Sequence, residues 1–271
     1  MDRLNEKDDE FFYLIQNEKK YKVYVKEGEV NLGIDGCSEF FGLEDLKTLK
    51  RLSLDFYDDR YHKLSMPKNI ESLFLSHSLI NDSKFLSQFP NLIEIGLLES
   101  TINFDQISGL KKLKKLRLAH QNIKKIENLT TLTNLEAIDL YGNRISRIDG
   151  LDSLKKLKKL NLSFNMIERI ENLENLENLE KLNLASNLIK KMENLDFLLT
   201  LRKLNLSNNK IQKLEGLNRL KKLESIRLSG NYFPFLTLNQ EEALKLFASL
   251  DNLKLINDTI YPDSKEYPIY K

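Results

Sequence analysis

The sequence predicts an α/β fold: a right-handed solenoid with a concave parallel β-sheet, a convex side of 3₁₀ turns and short helices, and caps at both ends. Two observations predict it. The 271 residues include 53 leucines and 27 asparagines but only 10 glycines and 5 prolines. In addition, the apolar residues recur with a period of 22 residues, which lies within the range of ~20–29 residues known for one class of solenoid repeat.

The repeat begins most clearly at Leu113-x-x-Leu116-x-Leu118. Ten copies cover residues 27–235, and they start at Glu27, Leu49, Ile70, Leu92, Leu113, Leu135, Leu157, Leu179, Leu201 and Leu223. We number them copies 1 to 10. The domain organisation that follows is an N-terminal cap at 1–26, repeats at 27–235, a C-terminal cap at 236–260 and a tail at 261–271.

Each copy contains two apolar periodicities. Pairs such as Leu160 and Leu162 are two residues apart, which places both side chains on one face of a strand. Later in the same copy, Ile170, Leu173 and Leu176 are three residues apart. That spacing is typical of 3₁₀-like turns. A strand limb and a turn limb, each with an inward apolar face, close one coil of a solenoid.

A single position in each later copy explains the asparagine content. An amide there can bond to the backbone of neighbouring turns and satisfy groups that would otherwise be buried unpaired. Copies 6 to 10 carry Asn143, Asn165, Asn187, Asn209 and Asn231. Copies 1 to 5 carry Asp35, Tyr57, Ser78, Ser100 and Gln121 instead, so we expect their turns to be less regular.

Both ends of a solenoid need a cap over the apolar cross-section. At the front, Phe11, Phe12, Leu14 and Ile15 suggest a short amphipathic helix, followed by a strand at 21–25 and a hairpin turn at 26–29. At the back, the capping-box pattern Asn239-Gln-Glu-Glu242 opens a helix that runs to about Leu250. Leu253-x-x-Ile256 then repeats the start of a further copy.

Residues 27–258 resemble the leucine-rich-repeat class of 22 residues typified by the leucine-rich regulatory subunit of protein phosphatase 1. The signature appears as Ile123-Lys-Lys-Ile-Glu-Asn-Leu129, Ile145-Ser-Arg-Ile-Asp-Gly-Leu151 and Ile211-Gln-Lys-Leu-Glu-Gly-Leu217. The class also includes acidic leucine-rich nuclear phosphoproteins and axonemal proteins. The resemblance implies the solenoid fold and a role in partner binding. The regulator's alternating acidic and aromatic contact column is not reproduced here, so none of its contact residues is carried over.

Composition and charge narrow the function classes. The 42 Lys and Arg against 40 Asp and Glu give a net charge of +2, which provides no global field for nucleic acid or an anionic membrane. The N-terminus reads as no signal peptide, and no apolar run approaches the ~18 residues of a membrane helix. We therefore expect a cytoplasmic or nuclear monomer that does not bind membranes. The single cysteine, Cys37, is expected to be a small core residue.

The outward strand positions of copies 2 to 6 carry large, charged or aromatic residues, and such residues are typical interface anchors. We hypothesise a protein-binding patch on the concave face. Phe56, Phe74, Tyr141 and Phe164 form it with Arg117 and Asp139, and the same columns add His77, Glu99, His120 and Arg227. The alternative is that scattered apolar surface residues have no role.

The sequence also bears on three other types of site: a metal site, a nucleic-acid site and an active site. His77, Glu99 and His120 share one column, and a zinc ion between them is an alternative to a solvated polar column. Lysine pairs invite a nucleic-acid interpretation, but the column from Lys114 through Glu136 to Glu224 alternates in sign, which favours pairing between copies. The sequence contains none of the glycine-rich phosphate, serine-hydrolase or zinc-protease motifs.

The predicted function is thus a non-enzymatic scaffold, without cofactor, metal or nucleic acid, that binds a protein partner on its concave face. Two narrower alternatives remain. One is a regulatory subunit of a Ser/Thr protein phosphatase, and the other is a structural subunit of an axonemal or ribonucleoprotein assembly.

Overall fold

A computed structural model describes residues 11–16, 19–33, 37–58, 66–81, 84–100, 104–233 and 255–256. The chain divides into two compact units, Met1–Arg117 and Leu118–Lys271, which we call unit 1 and unit 2. The predicted C-terminal helix and the tail lie outside the described residues. So does the environment of the Cys37 side chain. No helix in the described part of the chain is long and apolar enough to cross a membrane.

Unit 1 begins with a small antiparallel sheet rather than the predicted helix. Strand β1 (Phe11–Gln16) pairs on one side with β2 (Lys19–Tyr24) and on the other with β4 (Cys37–Phe41). The helix prediction was wrong because a short apolar run does not distinguish a buried helix from a buried strand. Aromatic and β-branched residues favour the strand once both neighbours supply hydrogen bonds.

The predicted hairpin at 26–29 is confirmed. Lys26 and Glu29 exchange backbone hydrogen bonds of 3.3 and 2.8 Å, and the two residues between them have positive φ angles, 49° at Glu27 and 73° at Gly28. Two central residues with positive φ are the mark of a type I′ turn, whose twist matches that of paired strands. The turn leads the chain into the first parallel strand.

The repeat forms parallel strands in both units. In unit 1, β3 (Glu29–Gly33), β5 (Arg51–Asp55), β6 (Ser72–Ser76) and β7 (Glu94–Leu98) pair in that order. Strand β8 (Lys115–Ala119) contains the boundary between the units. In unit 2 the strands are β9 (Ala137–Asp139), β10 (Lys159–Asn161), β11 (Lys181–Asn183), β12 (Lys203–Asn205), β13 (Ser225–Arg227) and β14 (Leu255–Ile256).

The strand registers match the repeat alignment. Leu160 faces Leu182, and Leu182 faces Leu204, so the inward leucines of successive copies stack in one core. β14 pairs with β13 through Ile226 and Ile256, which confirms that the chain after the repeats resumes the strand pattern. The fold is a leucine-rich solenoid of parallel strands with little helix, as the sequence predicts.

The period-three segments form the turn limb of each coil. Successive hydrogen bonds join residues three apart, as in Leu176 N–H to Leu173 O and Leu179 N–H to Leu176 O, both 3.0 Å. Each bonded leucine is buried. In unit 1 the same limb contains a 3₁₀ turn at Phe85–Gln88 and a helical turn, α1, at Phe104–Ile107. Period-three spacing therefore predicted the correct local geometry.

The asparagine position forms the expected ladder. In Asn165, Oδ1 accepts a hydrogen bond from the Ile145 N–H at 2.9 Å, and Nδ2 donates to the Leu140 and Leu162 carbonyls at 3.0 and 3.1 Å. Asn143, Asn187, Asn209 and Asn231 make the corresponding bonds. Each side chain thus joins its own copy to the preceding one.

Serine takes over part of this role in unit 1. Ser78 Oγ accepts from the Tyr57 N–H at 3.1 Å and donates to the Ser76 carbonyl at 2.8 Å. Ser100 Oγ accepts from the Ser78 N–H at 3.2 Å. Ser100 Oγ also lies 3.2 Å from the Leu75 carbonyl and 3.0 Å from the Leu98 carbonyl. A hydroxyl has one proton to donate where an amide has two, so these two carbonyls share a single donor.

Opposite charges pair between copies as the alternating column predicts. Lys158 lies 3.1 Å from Glu136, and Arg202 pairs with Glu224. A second set on the turn limb joins Arg147 to Glu171 and Arg169 to Glu193, each at 3.1 Å. All of these pairs are partly exposed, so each stabilises the fold only slightly.

Candidate protein-interaction face

Strands β5 to β13 are each followed, within three residues, by a residue in the left-handed backbone region. These residues are Phe56, His77, Glu99, His120, Gly142, Phe164, Ser186, Asn208 and Gly230, with φ between 48° and 71°. The repeat pattern predicts that this column faces outward, but it does not predict the backbone conformation. The coil imposes it, because the residue must turn the chain out of the sheet while its N–H still reaches the next copy. The Phe164 N–H, for example, donates to the Ala185 carbonyl at 2.9 Å.

Glycine and asparagine adopt this conformation readily, whereas a bulky side chain there costs on the order of 1 kcal/mol. Copies 6, 9 and 10 follow that preference with Gly142, Asn208 and Gly230. Copies 2, 3, 4, 5 and 7 instead carry Phe56, His77, Glu99, His120 and Phe164. Backbone strain retained under large exposed side chains is typical of a functional surface.

In unit 1 these side chains form what we call the Phe56 cluster: Asp55, Phe56, His77 and Glu99. The Phe56 ring is 48% exposed and stacks on His77, with the ring centroids 5.1 Å apart at an angle of 20°. His77 Nδ1 lies 3.1 Å from Asp55 Oδ1, and Nε2 lies 3.5 Å from Glu99 Oε2. One imidazole thus links two carboxylates beneath an exposed aromatic ring.

The Asp55 carboxylate is held in its charged form. The Ser76 hydroxyl donates to Asp55 Oδ1 at 2.6 Å, and this bond, with His77 next to it, keeps the pKa of Asp55 below its usual value. Partial burial opposes the effect. The cluster therefore presents an anionic group beside an aromatic surface.

Phe74 occupies a different environment from the one predicted. It pairs with Gly96 on the adjacent strand, and its ring lies where a side chain at position 96 would be. An aromatic ring over a strand glycine shields the exposed backbone and supports the sheet. Phe74 is only partly accessible, so it is a packing residue of the strand face and a weaker candidate for an anchor.

In unit 2 the corresponding group is what we call the Phe164 cluster: His120, Tyr141 and Phe164. The His120 and Tyr141 rings meet edge to face at 5.0 Å and 80°. Tyr141 and Phe164 meet at 5.1 Å and 60°. Phe164 is 54% exposed, although aromatic side chains in soluble proteins bury most of their area. Three rings from three successive copies therefore form a continuous aromatic row.

Glycine and a carboxylate fix the geometry of this row. The His120 ring lies over Gly142, where a Cβ would collide with the imidazole. Asp139 Oδ1 accepts hydrogen bonds from the Tyr141 N–H at 3.2 Å and from Asn161 Nδ2 at 2.8 Å. Asp139 thus orients Tyr141 as well as adding charge beside it.

Two further predicted residues are arginines on the parallel strands. Arg117 is exposed on β8, in unit 1. Arg227 is exposed on β13, four strands from Asp139, a separation of ~19 Å at ~4.8 Å per strand. His77 binds two carboxylates through its two nitrogens, and no group of three His, Cys, Asp or Glu side chains within the described ranges could hold a metal ion.

Asparagine and serine in copies 7 to 9 have a structural role on the same face. Asn161 Oδ1 accepts from the Ser163 N–H and hydroxyl at 3.1 and 2.7 Å, and Asn205 repeats this arrangement with Ser207. Such local bonds shape the turn at the strand end. The aromatic row of the Phe164 cluster therefore contrasts with the polar surface that these asparagines and serines form.

The family comparison agrees with this architecture. Residues 111–153, 155–197 and 200–240 match the model described as leucine-rich repeats (2 copies). These three segments are therefore similar to leucine-rich repeats. A comparison with curated proteins finds no match.

Solved structures resemble the fold over most of the chain. An internalin, InlF, from Listeria monocytogenes is 23% identical, with a TM-score of 0.56 over 80% of this chain and 69% of that one. Internalin C2 from the same species is 22% identical, with a TM-score of 0.54 over 79% and 82%. A complex of TLR13 with ssRNA13 is 30% identical, with a TM-score of 0.57 over 67% of this chain and 29% of the other. The internalins support the fold alone, and this chain spans less than a third of TLR13.

Proposed function

We propose that this protein is a non-enzymatic interaction module that binds a protein partner on its strand face. The contact residues are the aromatic side chains at the strand ends, above all those of the Phe164 cluster. The observation that carries the proposal is the set of large, exposed side chains in left-handed conformations, above all Phe164. The backbone conformation at these positions is most stable with glycine or asparagine. Aromatic anchors beside charged groups are what protein interfaces use most.

The Phe164 cluster has the composition of an interface anchor. It offers three rings with polar groups at their edges, and the rings are already ordered by mutual contact. An ordered anchor loses little side-chain entropy on binding. In unit 1, the Phe56 cluster is a separate candidate position, in which a fixed negative charge beside an aromatic ring favours partner selectivity.

The test is affinity capture from a cell extract, followed by mass spectrometry, with Tyr141→Ala/Phe164→Ala beside the wild type. Phe197→Ala is the matched control, because Phe197 is 55% exposed but lies on a turn, away from the strand face. We expect the double variant to lose a set of proteins that both the wild type and the control retain. Equal capture by all three would contradict the proposal.

Ribonuclease treatment of the extract separates a protein partner from RNA, since the TLR13 structure contains ssRNA13. Capture that disappears after this treatment would contradict protein binding. The captured proteins also decide between the two narrower roles. A phosphatase catalytic subunit would indicate a regulatory subunit, and axonemal or ribonucleoprotein components would indicate a structural one.

A further inference from the structure

The turn limb of copy 8 carries two large apolar side chains on an otherwise polar surface. Phe197 is 55% exposed and Leu199 is 49% exposed. The equivalent residues are Asn175 and Glu177 in copy 7, and Arg219 and Lys221 in copy 9. We call this group of six the copy-8 patch. The strand face does not include it, and the proposed function makes no use of it.

The six residues lie side by side in two rows across adjacent turns. Thr200 Oγ1 donates to the Glu177 carbonyl at 2.8 Å, which places the turns of copies 7 and 8 in contact. Leu199 and Lys221 each donate a backbone hydrogen bond to the residue two before, at 2.9 Å, so their turns have the same shape. One row therefore reads Glu177, Leu199 and Lys221.

Charged residues lie on both sides of the apolar centre of this row. Glu177 lies on the copy-7 side of Leu199 and Lys221 on the copy-9 side, and Lys155 of copy 6 continues the row beyond Glu177. A sequence of acid, apolar residue and base is self-complementary under two-fold rotation. A two-fold axis that lies in the interface and runs along the copy-8 turn places Leu199 against Leu199 of the second copy. The same axis places Glu177 of each copy opposite Lys221 of the other.

We propose that the copy-8 patch binds a second copy of this chain and forms an isologous, back-to-back homodimer through the turn limbs. Phe197 and Leu199 provide its apolar centre. The two Glu177–Lys221 contacts set the antiparallel direction, since the parallel arrangement would place acid against acid. The contact area is limited to a few turns, so the dimer belongs to the weak, reversible class of interfaces. The proposal differs from the monomer that the sequence leads us to expect.

The first test is sedimentation equilibrium of the purified chain over a series from micromolar to about millimolar concentration. The wild type should show a monomer–dimer equilibrium, and Leu199→Asp should weaken it at least about tenfold. Phe164→Ala, an equally exposed aromatic on the other face, should leave it unchanged. A monomeric wild type over the whole range would overturn the proposal, as would an equal loss in both variants.

Charge reversal tests the arrangement itself. Glu177→Lys and Lys221→Glu should each remain monomeric, because like charges then meet twice. Mixed in equal amounts, the two variants should associate, because each contact again joins an acid to a base. Thermal unfolding of each variant checks that it is folded. A mixture of folded variants that fails to associate would overturn the two-fold arrangement.

Discussion

At the scale of single residues, the most informative feature is the left-handed position at the end of each strand. The sequence identifies this column as outward-facing, because its residues recur at a fixed distance after the inward-facing strand residues of each copy. It does not reveal the backbone angle, since Phe and His disfavour the region in which the structure places them. The coil imposes the conformation, and these side chains occupy it despite their own preference.

Phe164→Asn tests whether this position serves stability or binding. Relief of backbone strain, about 1 kcal/mol, should offset the loss of ring contact with Tyr141, about 0.5–1.5 kcal/mol. The free energy of unfolding in urea should therefore stay within about 0.5 kcal/mol of the wild type. A loss of more than about 2 kcal/mol would mean that Phe164 is needed for folding, because that is the scale for removing a buried aromatic.

Asp55 gives a prediction for pH. Its folded pKa lies below the unfolded value, so it contributes stability above the unfolded pKa, and that contribution is lost as the pH falls through the folded pKa. The side chain is 42% exposed, so solvent limits the effect to less than about 1 kcal/mol.

The difference in unfolding free energy between wild type and Asp55→Asn should be largest at neutral pH and should narrow below about pH 4. Urea unfolding between pH 7 and pH 3 measures it. Ser76→Ala removes the hydroxyl donor to Asp55. The difference in unfolding free energy between the wild type and Ser76→Ala should therefore also narrow as the pH falls, by a smaller amount. A difference that does not change with pH would show that the hydrogen bonds of Asp55 are not linked to its ionisation.

At the scale of elements, the regular copies were predictable and the irregular ones were not. The strand leucines, the period-three turns and the asparagine ladder follow from spacing alone, because each copy must bury the same face and satisfy the same backbone groups. The N-terminal strand was missed because Phe11–Gln16 has no periodicity that separates helix from strand. The exposure of Phe197 and Leu199 is not part of the sequence prediction. The polar residues at the same turn positions of the neighbouring copies are the signal that indicates it.

The ladder gives the sharpest prediction for an element. Asn165→Ala leaves the buried Ile145 N–H without its acceptor, whereas the two carbonyls that Asn165 bonds keep a second ladder asparagine as donor. The variant should therefore lower the free energy of unfolding by about 1–3 kcal/mol. Asn178→Ala is the control, because its one bond, to the Lys155 carbonyl, is exposed, and it should cost less than about 0.5 kcal/mol. The comparison is made by the urea midpoint of unfolding. Similar midpoints for the two variants would contradict the ladder's role.

At the scale of the whole molecule, each unit combines a repetitive interior with an individual surface. The repeat determines where side chains point, but the outward positions are free to vary, so fold and function are separable. The strand face carries the aromatic clusters, and the turn limb of copy 8 carries the self-complementary patch. The two proposals together assign a partner site to the strand face and a self-association site to the turn limb.

The central claim is that the strand-end aromatics bind a protein partner. It is tested most directly by calorimetric titration of a captured partner into the wild type, Phe164→Asn and Phe197→Ala. The account predicts that Phe164→Asn weakens the affinity at least about tenfold, or about 1.4 kcal/mol, while remaining as stable as the wild type. Phe197→Ala should bind like the wild type. Unchanged affinity in a folded Phe164→Asn variant would contradict the account.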